Sequence, residues 1–595
     1  MRRFIKNLEQ AGELARVTAS VDPVLEMGEI ADRIVKGGGR AILFENSGTR
    51  FPVLMNMFGS ERRIAMALHR ESIDEIPGQI ETLFKKLTSP NGLGGKIALL
   101  GRAARWLPRR RRGRGKCQEI ILKGDEARLG LLPALKCWPH DGGRFITLPL
   151  VATVDPDSGA PNLGMYRMQI FDEHTAGLHW HRHKTGERHY EAYRRRGERM
   201  PVSVCLGGDP AYTYAATAPM PDGMDEMLLA GFLCGRGVRL VRSVTSNIYV
   251  PADCDIVIEG YVDPSEAKVT EGPFGDHTGF YSLEGPYPAM HVTAITCRRD
   301  AVYPATIVGV PPQEDFFIGR ATERIFLAPI RLALQPEVRD VWMPAAGVAH
   351  NLVVTAIDAT WPGQAFKTAG ALWGAGQMMF NKLMIVCAGD ARDIGALARG
   401  VRDFLPEEDL LFSRGALDVL DHAASCTGEG GKMALDLTVS RPTREVVAPL
   451  HASPCCGVTS SDLSLAASWG IALLFAAPDA QVDAEGFAIR NGIEGVNLLV
   501  VTDAAAASLS HEELLWFCAA NCEVGRDVRL AGGRLVVDAR SKISGEVARW
   551  PNVATSSPET IALVDRRWAE YGLGGEIASP SLRYIPLLNS DGASV

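Results

Sequence analysis

No two of the twelve cysteines are spaced as a CxxC pair. The ligand spacing of a zinc finger or ribbon is therefore missing, and scattered thiols in a long chain read as buried and reduced, as in a cytoplasmic protein. Cys455 and Cys456 are adjacent and Cys518 and Cys522 lie one helical turn apart, and neither pair alters that reading. No stretch of about 20 uncharged apolar residues occurs, so no integral membrane segment is expected. The opening ten residues lack the apolar run of a signal peptide. There is no P-loop and no GxGxxG leading into a helix; Gly428–Lys432 (Gly-Glu-Gly-Gly-Lys) lacks the required spacing. An excess of positive charge is also absent: the formal net charge is −7, which gives no general attraction for nucleic acid. No fixed-period repeat and no low-complexity tract is found.

What is present is the composition of a soluble globular protein, 46 % hydrophobic and 22 % charged over 595 residues. Such a length buries large cores without disulfides and corresponds to about three to four domains at roughly 150 residues each. Residues 1–116 read as an N-terminal α/β unit. Amphipathic segments Phe4–Leu14 and Pro23–Val35 alternate there with short apolar runs at Ala41–Phe44 and Pro52–Met55. The unit closes on the basic run Arg109–Lys116, which without interleaved aromatics is expected to be a solvated linker. From 117 to 310 the texture is β: Ile146–Val154, Pro201–Leu206, Val238–Val241, Asp255–Ile258 and His291–Thr296 are rich in β-branched residues. One helix is expected within this region, at Asp225–Cys234. A linker at 311–335 and a C-terminal α/β domain at 336–595 follow, with short buried strands at Asn351–Ile357, Leu383–Val386, Ile471–Phe475 and Leu498–Val501. Residues 445–530 read as an added α/β segment, and Asn589–Val595 is expected to fray.

The residues that could carry chemistry cluster in three places. Glu271-Gly-Pro-Phe-Gly-Asp276-His-Thr-Gly279 places two carboxylates five apart around a Pro/Gly turn. Two neighbouring acids tend to split their pKa values, so one is expected to hold a proton near neutral pH. Arg167 ends Asn-Leu-Gly-Met-Tyr-Arg at 162–167 and supplies a cation. The second cluster is the segment 179–189, where strand alternation would set His179, His181 and His183 on one face. Three histidines of one strand rarely converge on a tetrahedron, so a mixed site with oxygens from Asn162 and Glu226 fits a manganese- or magnesium-type ion better; the alternative is an exposed histidine-rich strand. The third feature is Lys382, entering the apolar run Leu383–Val386, where a lysine can hold a phosphate or be a plain strand-end residue. Glu226 alone could equally be a first-turn acid favoured by the helix dipole.

These motifs, in this order, resemble the UbiD family of prenylated-FMN-dependent decarboxylases. The resemblance extends through Leu-Leu-Pro-Ala-Leu-Lys-Cys-Trp-Pro-His-Asp at 131–141, Pro-Val-Ser-Val-Cys-Leu-Gly-Gly-Asp-Pro at 201–210, Pro-Pro-Gln-Glu-Asp at 311–315 and Asn-Lys-Leu-Met-Ile-Val at 381–386. Ala-Ile-Leu-Phe-Glu-Asn at 41–46 also fits, so about 440 N-terminal residues are covered. It implies an N-terminal α/β unit, a central split-β-barrel flavin-binding domain and a C-terminal α/β domain. It implies prenylated FMN with Mn²⁺ or Mg²⁺ on Asn162, His183 and Glu226, and K⁺ as a common companion. Met165, Tyr166, Arg167, His179, Trp180, His181, Lys184 and Thr185 match cofactor-contacting stretches, and Lys382 matches the family's phosphate lysine. Arg167, Glu271 and Asp276 match its catalytic trio, with Asp276 as the general acid and the flavin as the electron sink for CO₂ loss.

The implied substrate is an aromatic or α,β-unsaturated acid, with a 4-hydroxy-3-polyprenylbenzoate or a menaquinone-pathway naphthoate foremost and a simple aromatic or heteroaromatic acid as the alternative. A flavin prenyltransferase would supply the cofactor, and a homo-oligomer, dimer or hexamer, is expected. Two departures stand out. Lys-Leu-Met-Ile-Val-Cys-Ala-Gly-Asp replaces the family's Lys-x-x-Ile-Val-Val-Asp-x-Asp, and a family-like ending at 536–552 comes about a hundred residues after Lys432–Thr438. A flavin-binding protein without this chemistry and a flavin-free metal hydrolase are the competing classes. The flavin absorbance of purified protein separates the latter.

Overall fold

A computed structural model describes residues 1–88, 101, 103–221, 223–544 and 549–595. The N-terminal unit is a four-stranded sheet in the order Leu14–Ser20, Ala41–Asn46, Val53–Met55, Tyr303–Pro304. Helices Arg2–Gln10 and Glu26–Lys36 flank its first strand in sequence. The expected helix Phe4–Leu14 thus ends earlier, because Gly12 takes φ +72° and Leu14 begins the strand.

The central region is a nine-stranded, antiparallel sheet. Along its path run Arg144–Ile146, Met168–Ile170, Thr175–Leu178, Ala289–Cys297, Ile256–Val262, Met200–Leu206, Leu150–Val154 and Pro161–Met165, with Ile120–Lys123 also paired to Ala289–Cys297. The single strand expected over Ile146–Val154 is two strands, parted near Pro149, which has no N–H for a ladder. The helix expected at 225–234 is Glu226–Leu233, capped by the Asp225 carboxylate, which accepts from the Met227 N–H. The basic run is not a free linker. Arg109–Arg110 forms a strand parallel to Arg239–Leu240, closing a three-stranded sheet with Tyr249–Pro251.

Two five-stranded sheets follow, and they share one topology. The first runs Val338–Trp342, Leu352–Ile357, Leu383–Ala388, Glu429–Leu437, Leu410–Ala416; the second runs Ser460–Asp462, Ile471–Ala476, Leu498–Asp503, Arg534–Asp538, Val528–Ala531. In each, three parallel strands lie between two antiparallel edges. Each also has helices between its second and third and its third and fourth strands. Gly430-Gly-Lys-Met-Ala-Leu-Asp436 and Gly532-Gly-Arg-Leu-Val-Val-Asp538 occupy matching places: Met433 pairs with Leu383 and Leu535 with Leu498. The added segment is therefore a second copy of the preceding architecture. The repeat escapes the sequence because its loops differ in length and little besides this strand is shared.

The tail does not fray. Val595 N donates to Trp550 O at 2.9 Å, and Asn552 Nδ2 donates to Gly592 O at 2.7 Å. Helix Pro558–Tyr571 returns to the N-terminal unit, where Tyr571 Oη donates to Glu26 at 2.6 Å and Arg33 pairs with Asp565 at 2.7 Å. Among the described residues no helix is long and apolar enough to cross a membrane.

Candidate active site

Arg167 lies two residues past strand Pro161–Met165, and the short strands Val269–Glu271 and Phe274–Gly275 bring both carboxylates to it. Arg167 donates from Nε to Glu271 Oε1 at 2.8 Å and from Nη2 to Glu271 Oε2 at 3.0 Å, a bidentate fork. Its Nη1 donates to Asp276, and Nη2 also reaches Ser282 Oγ at 3.2 Å. The guanidinium lies 4.7 Å from the Phe274 ring centre. Glu271 is fully buried and Asp276 nearly so.

Burial alone would raise both acids, yet the Arg167 charge outweighs it. Glu271 sits at about 2, and Asp276 falls well below the usual carboxylate range. The expected splitting of the two acids does not occur, because one cation stands between them. The proton held near neutrality lies on His277 instead. Burial opposes its charge, but the Asp276 carboxylate, 2.8 Å from the His277 N–H and 3.1 Å from Nδ1, raises His277 to about 9. His277 Nε2 lies 3.2 Å from His350 Nε2, and burial lowers His350 to about 4.

The histidines do not share a strand. The strand ends at Leu178, whose N–H bonds to Pro288 O; proline offers no N–H to extend the ladder. Residues 179–184 form a loop, and Thr185–Arg196 is a helix. His179 turns inward and meets Glu271 Oε2 through Nδ1 at 2.9 Å, His181 Nε2 lies 2.6 Å from His179 Nε2, and the Tyr287 ring packs 4.1 Å from His179. The His183 ring packs on Phe380 at 4.6 Å.

Asn162, on strand Pro161–Met165, and Glu226, at the start of helix Glu226–Leu233, lie beside each other. Glu226 Oε2 accepts from Leu163 N at 3.0 Å, and Asn162 Nδ2 donates to Thr153 Oγ1 at 3.3 Å. Tyr166 is buried beside both, and its hydroxyl accepts from Gly186 N in the first turn of the 185–196 helix at 3.4 Å. Burial raises Glu226 to about 7. His183 Nε2, Trp180 Nε1 and Glu187 Oε2 are buried without a hydrogen-bond partner among the described residues. Unsatisfied polar atoms, a buried acid and the N-terminus of a twelve-residue helix are donors and acceptors of the kind that would hold a hard cation and an anionic group, although His183 itself packs on Phe380 and makes no hydrogen bond to Asn162 or Glu226. Lys184 stands at the N-cap position of that helix without a side-chain capping bond, Thr185 is next to it, and Met165 is half-buried at the end of its strand. Lys382 is fully buried in the C-terminal unit, with Nζ 2.8 Å from Asp421 Oδ2.

Several residues escape sequence reasoning. His277 adjoins Asp276 and was legible in principle. His350, Ser282 and Tyr287 carry no local signal. The outer wall comes from the second α/β copy, where Trp516 Nε1 donates to Thr278 O at 2.8 Å. Gly279, at φ +86°, lies so close that a Cβ there would meet the Trp516 ring at 2.4 Å. Beyond it, Ala554 N donates to Gly279 O at 2.9 Å and Tyr281 N to Asn552 O at 3.0 Å.

Comparison with known proteins places this geometry. The chain matches the family models described as 3-octaprenyl-4-hydroxybenzoate carboxy-lyase N-terminal domain over residues 5–82, Rift-related domain over 109–311 and C-terminal domain over 316–437. It is 46 % identical over 443 residues to an uncharacterized protein of Aquifex aeolicus, covering 73 % of this chain and 90 % of that one. Among solved structures it resembles the UbiD-class enzyme HmfF from Pelotomaculum thermopropionicum in complex with FMN, with TM-score 0.61, 26 % identity and 74 % and 94 % of the two chains covered. The fold also matches vanillic acid decarboxylase of Sedimentibacter hydroxybenzoicus in closed form, with TM-score 0.65 at 24 % identity over 76 % and 95 %. With all three family domains in sequence and an arginine clamped between two buried acids, the chain belongs to the UbiD family of carboxy-lyases.

Proposed function

We propose that the Arg167, Glu271 and Asp276 cluster performs reversible decarboxylation of an aromatic or α,β-unsaturated acid beside a prenylated FMN. The observation that carries this reading is the buried guanidinium gripping Glu271 through two of its nitrogens while the third touches Asp276. Asn162, His183 and Glu226 would hold Mn²⁺ or Mg²⁺, with K⁺ as a companion. Lys184, Thr185 and the helix start behind them would take the cofactor phosphate. Met165, Tyr166, Trp180, His179 and His181 would line the ring system. Lys382 would reach the phosphate only by leaving Asp421, so Lys184 is the resident phosphate cation in this reading. When bound, the modified flavin supplies the electron sink that CO₂ loss requires.

The chain's own residues do the rest. A substrate carboxylate competes with Asp276 for Arg167, while the Glu271 fork keeps the guanidinium in place. Burial favours the neutral product over the charged acid. Once Asp276 loses the Arg167 charge, burial dominates its pKa and it accepts a proton from His277. Asp276 then delivers that proton to the carbon that lost CO₂.

The substrate reading is a hydroxyaryl or polyprenylated quinone-precursor acid, supported by the Asp276-His-Thr-Gly279 form, with a simple aromatic acid as the alternative. A flavin prenyltransferase would supply the cofactor, and the working assembly is a homo-oligomer. The test is CO₂ release by holoenzyme from cells co-expressing a flavin prenyltransferase, against prenylated hydroxybenzoates, naphthoates and simple aromatic acids. Release from none of them, with the flavin bound, overturns the reading.

A further inference from the structure

Away from the active site, side chains from the ends of three helices meet where the N-terminal unit adjoins the central region. Among the described residues, His69, Asp209 and Cys234 each offer one ligand atom, and the three atoms lie within 4.8 Å of one another. His69 follows helix Glu61–Ala67 after Leu68, Asp209 caps helix Pro210–Thr217, and Cys234 ends helix Glu226–Leu233. The three are far apart in the chain, so no linear ligand spacing announces the group.

A plain ion pair does not account for the arrangement. His69 Nε2 lies 2.9 and 3.1 Å from the two Asp209 oxygens. Yet His69 is exposed, and a surface pair of this kind is worth little. The backbone beneath it is unfavourable for histidine. His69 takes φ +56°, with its N–H on Met66 O at 3.2 Å and the Arg70 N–H on Ala65 O at 2.9 Å. This is the left-handed position past a helix end, where glycine is the usual residue. A histidine kept there points to a use for its side chain.

The donor set selects the ion. Imidazole and thiolate suit zinc, whereas magnesium, calcium and manganese favour oxygen. Tetrahedral bonds of roughly 2.0–2.3 Å set ligand atoms about 3.3–3.8 Å apart, so the His69–Asp209 pair has to open by only about half an ångström. Asp209 Oδ1 also accepts from the Ala211 N–H at 3.1 Å, which leaves Oδ2 for a metal. Burial raises the Cys234 thiol above its ordinary value, Asp209 and Asp253 add to the effect, and Arg236 opposes it. A divalent cation reverses that balance: it takes the thiolate, and the thiol proton passes to solvent. The other nearby cation, Arg70, turns Nη1 to the carbonyls of Leu68, His69 and Leu233. One thiolate and one carboxylate neutralise the ion, and the exposed side at His69 gives water the fourth position. We propose that His69, Asp209 and Cys234 form a zinc site that clips the N-terminal unit to the central region.

This site is distinct from the one read for Asn162, His183 and Glu226. Glu226 starts the helix that Cys234 ends, eight residues and about 12 Å away. The proposal does not rest on the decarboxylase reading, because its test needs no turnover.

The test is titration of the reduced, full-length protein with Co²⁺, which stands in for Zn²⁺. Thiolate ligation appears as a near-ultraviolet sulfur-to-cobalt charge-transfer band. The band is expected to form and to be bleached by Zn²⁺. An ion on Asn162, His183 and Glu226 gives no such band, since that set has no sulfur. Cys234→Ser should remove the band. His69→Gly suits the left-handed backbone and should fold, but bind Zn²⁺ at least ~10- to 100-fold more weakly. Zn²⁺ should also raise the Tm of the wild-type protein more than that of His69→Gly. Absence of the band overturns the proposal, as does its persistence in Cys234→Ser, which would assign the metal to other thiols. Unchanged zinc affinity in His69→Gly overturns it too, and that comparison decides alone if Cys234→Ser does not fold.

Discussion

At the scale of single residues, everything turns on one cation shared by two acids. Asp276→Asn is expected to lower turnover by ~100- to 10,000-fold with flavin content unchanged, because an amide accepts no proton to deliver. Rates per bound flavin check this, and a stably folded, flavin-loaded variant with near-normal turnover removes Asp276 from the mechanism. His277 sets the alkaline limit. Its pKa is raised from 6.5 to about 9, so the stability it contributes is full below 6.5 and lost as pH rises through about 9. The proton available to Asp276 disappears over the same range. The pH profile of kcat/KM should therefore fall with an apparent pKa near 9, and His277→Gln should abolish that limb. Glu226→Gln should weaken flavin and metal retention without unfolding, measured as the flavin-to-protein absorbance ratio after dialysis. Arg167, Glu271 and Asp276 were legible in the sequence because each stands in a short turn-rich motif. Their pKa order was not, since it depends on where Arg167 lands between the two acids. His350 was illegible: it arrives from another sheet with no local pattern of its own.

At the scale of elements, the histidine segment shows what periodicity misses. Alternation read His179, His181 and His183 as one strand face, but Pro288, just before the partner strand, cannot extend the ladder, and the chain turns out into a loop. Helix Glu226–Leu233 was read within one residue at either end because Asp225 offers a cap and an apolar run follows. The wall over Thr278–Phe280 came from an element no motif announced. Trp516 there acts on the loop rather than on substrate. Trp516→Phe keeps the ring and loses the bond to Thr278 O, so kcat should fall modestly with KM and flavin content nearly unchanged. Trp516→Ala also leaves a cavity, and costs about 3–5 kcal/mol of stability as a large buried aromatic. Thermal unfolding of the two variants beside their kinetics separates positioning from packing, and a kcat unaltered in the phenylalanine variant denies the positioning role.

At the scale of the whole molecule, the α/β–β–α/β order was legible because hydrophobic texture changes sharply near 117 and 320. The doubling of the C-terminal sheet was not, because topology repeats while sequence hardly does. The second copy also carries Leu450 and Ile489, 96 % and 74 % exposed, the apolar surface an assembly would cover. Light scattering at micromolar concentration should show a species larger than the 64.3 kDa chain, and a purely monomeric protein contradicts the homo-oligomer.

The pairing of Asn552–Ala554 with the Gly279–Tyr281 loop has a consequence in time as well as in space. Translation produces the loop long before it produces the segment that backs it. While the ribosome is still adding the intervening residues, Arg167 and both acids can meet, but the segment between Asp276 and Tyr281 has no outer wall and stays open to water. Closing so long a span of chain is slow compared with local pairing. A nascent chain stalled before residue 550 should therefore already fold its central nine-stranded sheet yet remain inert, and activity should switch on only when the backing segment emerges.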